Sequence, residues 1–366
     1  MPTSDDIVAL LLLAIKDPRV LQALGPREWE RLLACARRNA VLAYLAHRTE
    51  STGVHERLPD APRVAMASAR AGARRLAQLA RWEVEQIAQV MRREGIPLIA
   101  LKGVAYLLRD MPHADTRLIT DVDVMVPRAS IDAAERYLQA AGWRTADLDA
   151  YDRSYYRRWS HEIPPMRYPG RLLGVDVHHT ICAPVSRLRP DPNAFWAHAV
   201  ATRMPGVRVL SPVDSLLHAA VHLFFDSDFD SRFRDLIDLH EMALAFGEDA
   251  QFWPALVARA AELDLGRPLY YTVRMLGLIV RTPLPTGVVA EVERFAPPAP
   301  VARWMTRTVA DVLRPVDPEP WPRRHRGKLW LMYVRSHWLR MPAYLLIPHL
   351  VRKSLRRAGD PATQTQ

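Results

Sequence analysis

Only two cysteines, Cys35 and Cys182, occur in 366 residues. So far apart in sequence, they form neither a disulfide framework nor a zinc-ligand spacing. The economical expectation is a reducing compartment, the cytoplasm. Long apolar runs are also missing. The stretch Ile7-Val8-Ala9-Leu10-Leu11-Leu12-Leu13-Ala14-Ile15 follows Asp5 and Asp6 where a signal peptide carries basic residues, and it is too short to cross a bilayer. Glycine is scarce beside proline, 15 against 30, which suits helices punctuated by proline at their ends. Internal repeats are absent, and no segment has the look of a template-binding module, so specific DNA binding is not expected.

What is present is a chain with 49% hydrophobic residues, enough to bury a substantial core in two or three units. Helical spacing of alanine and leucine, with arginines outside, predicts helices over Arg27 to His47 and Ala61 to Arg93. From Pro97 to Ile181 the pattern is mixed. Strands are expected near 97–101, 121–126, 142–146 and 171–179, with helices near 103–109 and 129–141. After Pro184 the chain reads as helical again: one helix opens at Pro212, and others span 230–246, 250–263, 266–281, 299–313 and 325–355. Proline-rich joints fall at 283–285, 297–300 and 315–322. The expected class is α+β, a small mixed-sheet core flanked by helices. The expected boundaries are a helical region 1–93, a catalytic core 94–184, a helical domain 185–315 and a basic, Trp-containing segment 316–366 with a disordered end at 360–366.

The most informative motif is Thr120-Asp121-Val122-Asp123-Val124-Met125-Val126. Strand alternation puts Asp121 and Asp123 on one face and the three valines on the other. Two carboxylates held that close repel unless a cation lies between them, and hard divalent ions that bridge to phosphates supply one. An isolated Asp-x-Asp is common in solvated turns, so the neighbourhood decides. Upstream, Gly95 to Gly103 reads as a strand and a turn carrying Lys102, followed by a helix from Val104; such a turn favours anions. Arg117 stands four residues before Asp121. Downstream, Gly174-Val175-Asp176-Val177-His178-His179 reads as a strand with Asp176 and His178 on one face and His179 on the other.

This ordered set resembles the nucleotidyltransferase superfamily that includes DNA polymerase beta, and within it the bacterial family usually called uncharacterised nucleotidyltransferases. The resemblance rests on Leu101-Lys102-Gly103, Arg117, Asp121-Val122-Asp123 and Asp176-Val177-His178. It continues through Leu217-His218-Ala219-Ala220-Val221-His222 and Arg232-Phe233-Arg234-Asp235-Leu236-Ile237-Asp238, so it covers Gly95 to Met242. One departure stands out: the superfamily follows its turn glycine with serine, whereas this chain has Val104.

The resemblance implies transfer of a nucleoside monophosphate from an NTP to a hydroxyl or phosphate acceptor, with Mg²⁺ or Mn²⁺ as cofactor. Asp121, Asp123 and Asp176 are then the metal ligands and catalytic carboxylates, Asp176 lying near the acceptor as ligand or general base. Lys102, Gly103, Arg117 and Thr120 are the phosphate-binding candidates. Arg117 has a second reading, as a structural partner of Asp121 or Asp115. His161, His178 and His222 are substrate-contact candidates. His218 and His222, four apart on a helix, read either as a face toward the cleft or as a hydrogen-bonded core pair. Relatives in bacterial tailoring pathways suggest a peptide or saccharide acceptor. Two alternatives stay open: a phosphotransferase using the γ-phosphate, and a non-catalytic nucleotide-binding scaffold.

The charge is concentrated at one end. Between Pro320 and Gly359 there are ten lysines or arginines and no acidic residue, and the forty basic residues elsewhere balance all forty acids. The net charge of +10 therefore belongs to this segment. Trp321, Trp330 and Trp338 are interleaved with it. Such a pattern suits an anionic membrane surface, an acidic partner or an RNA backbone, and makes a position against the inner membrane face the expected variant of a cytoplasmic location.

Overall fold

A computed structural model describes residues 6–148, 150–225, 229–318 and 323–346. Its centre is a seven-stranded mixed sheet. The strands are β1 (Leu98–Ala100), β2 (Asp121–Met125), β3 (Arg144–Thr145), β4 (Met166–Arg167), β5 (Gly174–His178), β6 (Val200–Ala201) and β7 (Val207–Val209), arranged in the order β3-β4-β5-β2-β1-β7-β6. β2 runs parallel to β5 and antiparallel to β1, while β1 runs parallel to β7. The α+β class with helical flanks is therefore the observed one.

Fifteen α-helices lie among the described residues. The first four precede the sheet: α1 (Ile7–Lys16), α2 (Pro26–Arg38), α3 (Leu42–Ser51) and α4 (Asp60–Arg93). Ala73, Ala77, Ala80, Val84, Ile87, Ala88 and Met91 make the buried stripe of α4, whose small side chains let it pack closely on β1 and β2. Within the sheet region come α5 (Lys102–Leu108), α6 (Ile131–Ala140), α7 (Ala150–Trp159) and α8 (Pro192–His198). The C-terminal layer holds α9 (Pro212–Phe224), α10 (Phe233–Phe246), α11 (Phe252–Glu262), α12 (Gly266–Met275), α13 (Thr286–Glu291), α14 (Ala299–Leu313) and α15 (Arg323–Arg340). α9 is the hub, packed against α10, α11 and α12. One apolar cluster runs from Ile7 to Met332 through both helical layers and the sheet.

Several elements differ from the sequence expectation. The helix expected over Arg27 to His47 is two helices, because Asn39 breaks it. Its Nδ2 donates to Cys35 O (2.7 Å) and Val316 O (2.9 Å), its Oδ1 accepts from Val316 N (2.8 Å), and Ala40 next to it has φ +54°. The expected helix over 266–281 is α-helical only to Met275. Leu276–Val280 then forms a π turn, which ends at Arg281 with φ +54°. The largest departure is β6 and β7, a hairpin in a region read as wholly helical. The Pro205-Gly206 step was the available signal, and Gly206 has φ +79°.

The disordered end expected at 360–366, and the expected helix beyond residue 346, lie outside the described residues. Within α15 the basic residues are not all outward: Lys328 pairs with Asp311, and Arg335 donates to Phe224 O (2.7 Å) and stacks on Phe225 and Tyr271. Trp330 and Trp338 are exposed. Among the described residues no helix is long and apolar enough to cross a membrane.

Candidate active site

Parallel pairing of β2 with β5 brings the acidic residues together. The register sets Asp121 opposite Gly174 and Asp123 opposite Asp176, so two carboxylates 53 positions apart in the chain become direct cross-strand neighbours. Alternation along β2 sends Val122 and Val124 into the core, fully buried, and leaves Asp121 at the exposed entry of the strand. Asp123 is 3% exposed.

Two cationic groups converge on Asp123. Lys102 Nζ donates to its Oδ1 at 2.7 Å, and His178 Nε2 lies 2.9 Å from the same oxygen. Burial alone would raise this carboxyl, but Lys102 and His178 outweigh it and hold Asp123 far below the usual carboxylate range. The same pairing, acting against burial, raises Lys102 above its ordinary value and likewise raises His178. Asp176 behaves oppositely. Burial first, then Glu162 and Asp123, pushes it up to about 7. Asp121 is also raised, by loss of solvent and by Asp123, against Lys102, Arg117 and His222.

Four carboxyls, those of Asp121, Asp123, Asp176 and Glu162, gather here, and burial together with their mutual repulsion raises Asp121 and Asp176. Their oxygens form the hard donor set that Mg²⁺ or Mn²⁺ takes. Asp123 and Asp176, side by side in register, are residues that could hold such an ion.

Lys102 reaches Asp123 because of its backbone. It opens α5 with φ +48°, in the left-handed region that side chains rarely adopt. Gly103 follows it with little room: a Cβ there would stand 3.3 Å from Ile119 Cγ1 and 3.4 Å from Arg117 Cδ. Val104 is buried, so the position of the superfamily serine serves the core.

Arg117 has partners that neither sequence reading named. Its Nη2 lies 3.0 Å from Asp235 Oδ1, and its Nη1 pairs with Asp238, both on α10. Asp115, offered as a partner, instead holds Arg70 on α4 at 2.5 Å. Asp238 also takes Arg234 at 3.0 Å. The Arg117 pair holds Asp235 down at about 2 against the effect of burial. The signal for this network was present as Arg234-x-x-x-Asp238, an i, i+4 pair on one helix face; Asp235 was missed because its partner lies 118 positions earlier.

Thr120 is exposed, with its Oγ1 3.4 Å from Asp121 Oδ1. His222 is half-buried at the end of α9, near enough for its charge to lower both Asp121 and Asp235. His218, one turn earlier, is buried, and its imidazole is held well below its ordinary value by burial and by Lys102. His179 faces away from the carboxylates: its ring lies against Arg128 and the carbonyl of Ser160. His161 stacks its ring 5.2 Å from that of His178, and Glu162 forms a β-bridge with His178. Glu162 thus joins the site through His178.

No curated protein and no solved structure matches the chain. A protein-family model does match, over residues 25–281. That span contains the whole sheet, all three aspartates and the Arg117 network. By this match over most of its length, the chain belongs to the uncharacterised nucleotidyltransferase family.

Proposed function

We propose that the chain transfers a nucleoside monophosphate from an NTP to a hydroxyl or phosphate acceptor in a metal-dependent reaction. Nucleotidyl transfer is the general activity the family carries. The observation that supports the finer reading is the in-register pairing of Asp123 on β2 with Asp176 on β5, with Asp121 two residues before Asp123 on the same strand. Asp121, Asp123 and Asp176 would hold Mg²⁺ or Mn²⁺, which when bound supplies charge for the triphosphate and for the attacking and leaving oxygens.

The chain's own groups do the rest. Lys102, anchored on Asp123, keeps one ammonium at the phosphate side of the sheet and stabilises charge on the leaving pyrophosphate. Gly103 lets Ile119 and Arg117 pack close against the start of α5, and its backbone belongs to the turn that would face the phosphates, while Thr120 offers a hydroxyl at the mouth. Asp176 accepts the proton of the acceptor hydroxyl. Arg117, engaged with Asp235 and Asp238, contributes mainly by fixing the loop that leads into β2. His222, close enough to act on Asp121, and His161 and His178 beside Asp123 are the candidate substrate contacts. The acceptor class we favour is a peptide or a saccharide.

The experiment is isotopic. ATP and the other three NTPs, labelled at the α- or the γ-phosphate, are incubated with the protein, Mg²⁺ or Mn²⁺ and cell extract as acceptor source. Label from the α-position in a new product, with pyrophosphate released, is expected. Label from the γ-position alone would make the chain a phosphotransferase. Tight Mg-NTP binding with no labelled product across a broad acceptor panel would make it a nucleotide-binding scaffold.

A further inference from the structure

Beside the three aspartates stands a group of different chemistry. His161, Glu162 and His178 each offer one ligand atom, and these atoms lie within 4.8 Å of one another. Glu162 Oε2 is 3.5 Å from His178 Nε2 and 3.7 Å from His161 Nε2. Three elements of backbone hold the set. His178 ends β5, Glu162 is tied to it by the isolated β-bridge, and His179 N donates to His161 O at 2.9 Å. His178 is 2% exposed, and its Nδ1 is buried without a hydrogen-bond partner among the described residues, so Nε2, the atom turned to Glu162 and Asp123, is the working nitrogen. His161 and Glu162 are only half-buried, which leaves a path from solvent.

We propose that His161, Glu162 and His178 form a second metal site, distinct from the all-oxygen site of Asp121, Asp123 and Asp176, and selective for a borderline cation of the Zn²⁺ or Co²⁺ class. The donor set is the reason. Two imidazoles and one carboxylate suit ions that take nitrogen, whereas Mg²⁺ prefers oxygen ligands and retains its water. Three protein ligands leave a fourth position for water or a substrate oxygen. Asp123 Oδ1, 2.9 Å from His178 Nε2, sits at the border of the two sites and couples them. An ion bound to His178 Nε2 would take that atom from its contact with Asp123, and Asp123 would then be left to Lys102 and the oxygen site. Binding of such a cation here does not depend on which reaction the protein catalyses.

The test uses the full chain, stripped with chelator and then titrated with Co²⁺ in the presence of excess Mg²⁺. One equivalent of Co²⁺ is expected to bind with visible absorption of an intensity typical of low coordination number, and Zn²⁺ should displace it. His161→Ala and Glu162→Gln are each expected to weaken Co²⁺ binding by at least about tenfold, while Asp121→Asn leaves it in place. Unchanged Co²⁺ affinity in both His161→Ala and Glu162→Gln overturns the proposal, as does displacement of Co²⁺ by Mg²⁺ alone. Proton NMR of the Co²⁺-loaded wild type gives a readout free of any folding defect in a variant. Two strongly shifted exchangeable imidazole signals support the site, and their absence refutes it.

Discussion

Arg117 and Asp235 stand 118 positions apart in the chain, yet their side chains meet at 3.0 Å, with Asp238 on the other arm of the same guanidinium. This contact ties the loop entering β2 to the first turns of α10, so the strand carrying Asp121 and Asp123 is positioned from the helical layer. Arg117 is about one-fifth exposed and Asp238 almost completely buried.

Removing the arginine therefore strands buried charge. Arg117→Ala is expected to lower the unfolding free energy by about 3–5 kcal/mol, read by urea denaturation. The double variant Arg117→Ala with Asp235→Asn should cost less than the sum of the two single changes, since the carboxylate no longer needs its partner. Simple additivity in that cycle would show that the pair is not coupled and that Arg117 is free for other work.

Lys102 makes a second prediction possible because its backbone and its charge can be separated. Both Lys102→Ala and Lys102→Gly remove the ammonium from Asp123. Only the alanine keeps a Cβ at φ +48°, which costs roughly 1 kcal/mol in the left-handed region. The glycine variant should accordingly be the more stable of the two by about that amount, by thermal or chemical denaturation, although both lose the ion pair. Equal stability would mean that the turn relaxes to an ordinary helical start once the lysine is gone.

These relationships mark the boundary of what the amino-acid order discloses. The alternation of Asp121, Val122, Asp123 and Val124 is local, and strand geometry makes its two faces legible without a partner strand. Placing Asp176 beside Asp123 needs the register of β2 on β5, which no local pattern encodes; it became readable only through the order of motifs shared with a family. The three residues of β7 pair with β1 from more than a hundred positions away, and Val207-Arg208-Val209 is too short for alternation to stand out among helical neighbours. The break at Asn39 was hidden for another reason: the group that accepts its amide is the backbone of Val316, at the far end of the chain. In each case the missing information was a long-range partner, while the residue that waits for it was visible.

The aspartates separate activity from stability. Asp121 lies at the exposed end of β2, and its carboxyl is raised by loss of solvent and by Asp123. Asp121→Asn removes a repulsion, so its melting temperature should equal or exceed that of the parent, while nucleotidyl transfer falls by at least about 10²-fold. Asp123→Asn differs, because Lys102 and His178 both depend on that carboxylate; it should lose activity to a similar degree and stability as well. Calorimetry on both variants with product formation by mass shift checks the contrast. Loss of stability in Asp121→Asn would place its carboxylate in the structural framework.

His113 contributes to the acid side of the stability profile. It is fully buried at the turn before Arg117, its ring 5.7 Å from Tyr106, and neither ring nitrogen has a hydrogen-bond partner among the described residues. Burial pushes its imidazole down to about 4, helped by Arg234 and Arg117 and opposed by Asp238 at 3.6 Å and by Glu241. Between pH 6.5 and about 4 the unfolded chain therefore binds a proton at this residue that the folded chain refuses. The sign follows: stability at His113 is complete above pH 6.5 and declines as the pH falls, by about 1.4 kcal/mol for each pH unit across that window. His113→Phe keeps an aromatic ring beside Tyr106 and cannot titrate. Unfolding free energies measured from pH 7 to pH 4.5 should fall less steeply in the variant by about that slope, the other histidines contributing equally to both proteins. Parallel curves would show that His113 protonates in the folded state, and that Asp238 rather than burial sets its charge.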